Sequence, residues 1–122
     1  MPAVLEARAQ AKSLLSPLGV PVLYADATRP ASGEYIVLTL VSAPPVGTFE
    51  GRAYNVVELQ IDVWTLAKSD SRAGVLGEQA ENALDAAGWT LRPSGQPLTH
   101  EGQRDAGGNL WYRYRFGAER EF

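Results

Sequence analysis

The stretch VVELQIDVWTL, Val56 to Leu66, constrains the fold more than any other part of this chain. Val57, Leu59, Ile61 and Val63 share one parity; Glu58, Gln60, Asp62 and Trp64 share the other. Successive side chains of a strand point to opposite faces, so the pattern predicts a strand with one buried and one polar face. After a break at Ala67–Ser71 the apolar spacing lengthens to three and four. Leu76, Ala80, Ala83, Leu84 and Ala87 then form one stripe, which predicts a helix running to about Ala87. Ser69, Asp70 or Ser71 is available as its N-cap, and Gly88 suits the C-terminal cap. Small alanines in the stripe let such a helix lie close on a sheet.

The flanking segments repeat the theme. Val4, Ala7, Ala11, Leu14, Leu15 and Leu18 predict an amphipathic helix over Ala3–Leu18, opened by Pro2 and closed by Pro17 and Gly19. A membrane-surface helix would need more cations on its polar face than Arg8 and Lys12. Val20–Tyr24 reads as a short strand and Tyr35–Val41 as a longer one, apolar on both faces and therefore central or covered on both sides. Between Ser42 and Asn55, Pro44, Pro45, Gly47 and Gly51 rule out a tight two-residue hairpin. A loop of that length without a period is usually functional, so it is expected to be mobile when free and ordered on docking, with Phe49 as its anchor. Trp89–Arg92 starts a further strand, broken at Pro93–Gly95. Pro97–Arg104 is predicted to pair with Leu110–Ala118 across the turn DAGGN. The predicted fold is α+β: one domain spanning 1–122, with a mixed or mainly antiparallel sheet of four to five strands and two helices packed on it.

At 122 residues the chain is long enough to bury roughly two-thirds of its unfolded surface. It has no cysteine, hence no disulfide framework and no thiolate metal site. The segment MPAVLEARAQAK lacks a basic stretch followed by an apolar run and is not expected to act as a secretory signal. No apolar run reaches about 18 residues, so no membrane-spanning helix is expected. The net charge of -3 supplies no basic footprint for nucleic-acid phosphates.

Signatures of chemistry are missing. His100 sits in THEGQ, outside any HExxH-like ligand pattern, and reads as a solvated hairpin histidine. Glu58 and Asp62 share a strand face but lie about 13 Å apart along it, farther than a glycosidase pair. Ser69 and Ser71 have no neighbouring histidine and no GxSxG elbow, and phosphate-cradling glycine motifs are absent. In LWYRYRF, Tyr112, Tyr114 and Phe116 alternate with Trp111, Arg113 and Arg115. That separates aromatics from arginines instead of building a base-stacking platform. The first set is expected in the core; the arginines are expected to offset Glu58 and Asp62 on a neighbouring strand.

YIVLTLV, a Pro/Gly-rich loop, and VVELQIDVWTLAKSDSRAGVLGEQAENALDAAGW together resemble the tail terminator and tail-completion proteins of long-tailed bacteriophages, the lambda-type minor tail protein U among them. The pattern in question is Leu59–Gln60–Ile61–Asp62–Val63–Trp64, followed by Ala73, Leu76, Ala80, Ala83 and Leu84. The resemblance implies a virion structural protein without cofactor or metal and without catalysis. It implies a ring, typically a hexamer, that caps the tail tube, stops its growth and joins it to a head-side connector. Its place would be the virion tail, assembled in the bacterial cytoplasm. DNA would pass through without sequence-specific binding, which an acidic domain suits. The alternatives are a head–tail connector or neck protein, and a small nucleic-acid- or ligand-binding accessory domain. Under the first reading, Phe49, Arg52, Glu58, Asp62, Trp64, Arg113 and Arg115 are the candidate subunit or tube interface. Whether Asp62 and the arginines pair within one subunit or across two stays open at this level.

Overall fold

A single 14-residue strand, Ala53–Leu66, is the spine on which everything else is hung. In chain order the elements are α1 (Pro2–Leu15), β1 (Val22–Tyr24), β2 (Glu34–Ser42), β3 (Pro45–Gly47), β4 (Ala53–Leu66), α2 (Ser71–Ala86), β5 (Thr90–Pro93), β6 (Thr99–Arg104) and β7 (Leu110–Glu121). The computed structural model describes residues 2–28, 33–47, 53–66, 71–93, 99–104 and 110–122. The main sheet runs β1-β2-β4-β7-β5, with β3 added to β4 and β6 added to β7. β1 lies parallel to β2, and the other pairings are antiparallel, so the sheet is mixed. This is the α+β layering that the two periods predict.

Both helices pack on one face. Val57, Leu59, Ile61 and Val63 of β4 meet Ile36 and Leu38 of β2 and Phe116 and Ala118 of β7 beneath Ala7, Ala11 and Leu15 of α1 and Leu76, Ala80 and Leu84 of α2. The predicted stripes are therefore the buried ones. α1 gives way at Ser16 to a 3-10 turn, Ser16–Leu18, where Pro17 cannot continue an α-helical hydrogen-bond ladder. α2 ends as its sequence suggests. Gly88 takes φ 91°, and the Trp89 amide donates back to the Leu84 carbonyl at 3.1 Å.

The close approach of α2 rests on Gly77 more than on the alanines. A Cβ at position 77 would overlap the ring of Tyr114 on β7. The Tyr114 hydroxyl donates to the Glu81 carboxylate one turn further along α2, which holds the ring in that slot. Burial, and then that bond, push the Tyr114 phenol up to about 12.

The segment Ser42–Asn55 differs from the expectation of a loop without secondary structure. Pro45, Val46 and Gly47 pair with Asn55, Tyr54 and Ala53, so β4 begins three residues before Val56 and its end forms an antiparallel arm with β3. Pro45 opens its strand, a position where a missing amide hydrogen costs no ladder bond. Asn55 anchors the base of the arm. Its side-chain amide donates to the Ala43 carbonyl at 2.9 Å, and its backbone exchanges two 2.8 Å bonds with Phe122.

Candidate assembly surface

The sheet face away from the helices collects the polar parity of β4 and the odd-numbered residues of β7. Antiparallel register sets Asp62 opposite Arg115, Trp64 opposite Arg113, Leu66 opposite Trp111 and Glu58 opposite Glu119. Arg115 Nε donates to Asp62 Oδ1 at 2.6 Å, and Gln60 Nε2 donates to Asp62 Oδ2 at 3.1 Å. Asp62 is buried, at 6% exposure, while the Arg115 side chain stays 38% exposed. A carboxylate buried this far needs its cation, so the pair is part of the sheet as well as part of its surface.

Glu58 and Glu119 would repel each other across the strands. Arg92 of β5 resolves this. Its Nη2 lies 2.9 Å from Glu119 and its Nε 3.8 Å from Glu58. The hydrogen bond and charge of Glu119, then the charge of Glu58, raise the Arg92 pKa above its ordinary value. The counter-charge expected for Glu58 on β7 is thus supplied by β5 instead, because Gln60 and Glu58 face Gly117 and Glu119 on β7, not arginines.

The other end of the face is aromatic. Tyr35 and Trp64 stack with centroids 6.4 Å apart, Tyr35 and Trp111 tilt at 5.5 Å, and the Arg113 guanidinium sits 5.5 Å from the Trp64 ring centre. Tyr35, Val37 and Trp111 form a second buried cluster, with Leu23, Trp64 and Leu66 packed against it. β2 is therefore apolar on both faces because each face meets a separate cluster.

The structure brings Glu58, Asp62, Trp64, Arg113 and Arg115 onto this one face. Phe49 and Arg52 lie outside the described residues. His100 falls on β6, whose side chains are likewise outside them. Sequence reasoning missed Arg92 and the clustering of Tyr35 with Trp111. Parity in LWYRYRF already put Trp111 on the arginine side; which strand would face it carries no local signal. Glu58, Asp62 and Glu119 each face a guanidinium. Among the described residues no group of three or more His, Asp or Glu converges as a metal site.

No curated protein matches the chain. A chain of the "Virion of native gene transfer agent (GTA) particle" is 18% identical at a TM-score of 0.47, covering 96% of this chain and 91% of that one. A second solved chain is 19% identical at a TM-score of 0.46, covering 100% of this chain and 96% of that one. Likenesses at these values establish no function. The family model described as Tail completion protein gp17 matches residues 2–114, nearly the whole length. The chain therefore belongs to the tail completion protein gp17 family and is a structural protein of a bacteriophage tail.

Proposed function

We propose that the protein closes as a ring, typically of six copies, on the end of the tail tube, ends tube growth and presents the surface that joins the head side. The observation that carries this reading is the family match over residues 2–114. The helix-free sheet face supports it as the docking surface, with Glu58, Asp62, Trp64, Arg113 and Arg115 turned toward the tube or an adjoining subunit, and with Phe49 and Arg52, which lie outside the described residues, proposed to join the contact. Its ion pairs are satisfied within the subunit, so they orient a partner while apolar contact through the Trp64 edge supplies the affinity. Catalysis plays no part. The partners are further copies of the chain, the tube protein and a head-side connector. The net charge of -3 would keep passing DNA from adhering to the ring.

Electron microscopy of the protein mixed with purified tail tubes is the test. A single closed ring at one end of each tube, with a countable number of subunits, is expected. Binding along the tube wall, or to the head-side connector with tubes left bare, contradicts the terminator role.

A further inference from the structure

The helix flanks at the two lateral edges of the domain carry opposite charge; Arg92 of β5 is paired with Glu119 and Glu58 on the helix-free face. α1 contacts β1 at one edge of the sheet, while α2 contacts β7 and β5 at the other. On the first edge, Arg8 and Lys12 lie one turn apart on the α1 flank that meets β1. Their charged groups sit 4.0 Å and 5.3 Å from the centre of the Tyr24 ring, which fixes both cations at the rim. Leu5, one turn earlier, is 63% exposed. One acid, Asp26, follows in the turn after β1. On the second edge, Glu78, Glu81 and Asp85 project from the flank of α2 that overhangs β5. With Val75, Leu91 and Tyr114 they line an open groove of about 550 Å³. The Tyr114 hydroxyl fixes the Glu81 carboxylate there. Val75 is 49% exposed, an apolar contact beside the acids that matches Leu5 beside the cations. Among the described residues neither β1 nor β5 has a strand on its outer side.

A two-fold contact through either edge would set like charges against each other. A head-to-tail contact between copies sets cations against acids at every joint, and such a heterologous interface closes into a ring when its rotation allows. We propose that the Arg8–Lys12 edge of one subunit seats in the Glu78–Asp85 groove of the next copy, a contact that rests on the ring reading given above and names its lateral joint. The helix-free sheet face then stays open for the tube.

Paired charge reversals test this. Arg8→Glu with Lys12→Glu makes both edges acidic, and Glu78→Lys with Asp85→Lys makes the groove basic like the opposite edge. Glu81 is left intact because it holds Tyr114. Association is read by sedimentation, alone and with tail tubes present, after circular dichroism confirms the fold. Each variant alone is expected to associate about a hundredfold more weakly than the unaltered chain, since like charges then meet at every joint. An equimolar mixture of the two is expected to recover rings, because alternating copies restore opposite charges. Rings from either variant alone at native strength, or a mixture that stays monomeric with both variants folded, overturns the joint while leaving the ring reading standing. An unaltered chain that stays monomeric even on tubes overturns both. If a paired variant fails to fold, Lys12→Glu and Glu78→Lys, both at exposed positions, carry the same mixing test.

Discussion

Replacing Trp89 by Ala is expected to lower the free energy of unfolding by about 3–5 kcal/mol, the usual range for deleting a buried tryptophan. Trp89 follows the Ala87–Gly88 turn that ends α2 and is 2% exposed. Its ring tilts against Phe122 with centroids 5.6 Å apart, and its Nε1 donates to Gln10 Oε1 on α1 at 2.8 Å. Arg120 donates to the same oxygen at 2.7 Å and to the Ala87 carbonyl at 3.0 Å. One side chain thus ties α1, the end of α2 and the end of β7 together. Losing it leaves a cavity and removes one of the two donors to Gln10. The midpoint of thermal unfolding should fall by about 10–20 °C. Trp89→Phe keeps most of the packing and should cost much less. Urea unfolding followed by circular dichroism measures both, and a loss below about 1 kcal/mol for the alanine variant contradicts this packing.

The second large effect is expected from Gly77→Leu. In an exposed helix, replacing Gly by a good helix former gains about 1 kcal/mol. At Gly77 the sign reverses, because the first added carbon would already occupy the space of the Tyr114 ring. That ring is attached close to its backbone and tethered to Glu81, so it has little room to withdraw. Overpacking of this kind costs about 1–3 kcal/mol and occasionally more, and a branched side chain belongs at the top of that range. Gly77→Ala should show a smaller effect of the same origin. Trimming the obstacle is the diagnostic step. Adding Tyr114→Ala to Gly77→Leu should recover part of the loss, a coupling that two independent sites would not show. Additive losses in the double variant would mean that the helix does not approach β7 at this point.

How much of this was legible depends on the range of the signal. The parity of Val56–Leu66 and the stripe Leu76–Ala80–Leu84 are local, and they specified which face of β4 and which side of α2 are buried. The pairing of Asp62 with Arg115 was available as one of two alternatives, because opposite parities on two strands must meet once register is set. Register itself depends on distant residues. Nothing near Glu58 names Arg92 as its partner, and nothing near Tyr35 names Trp111. Gly77 reads as an ordinary helix glycine until Tyr114 is brought over it. The arm of β3 and β4 was hidden by Pro44, Pro45 and Gly47, whose turn preferences outweigh the short β-forming signal of Val46 and Tyr54. Of the residues suggested for the interface, five share one face because a single strand pair carries them all.

Termination of a tail tube, as proposed for this protein, is open to a direct measurement: tube-protein polymerisation followed by electron microscopy with and without this chain, with the length of each tube recorded over time. Tubes that meet the protein should stop lengthening at the capped end, and late addition of tube protein should leave their lengths unchanged. Tubes that keep growing at the same rate in a saturating excess of folded protein would show that it does not terminate them.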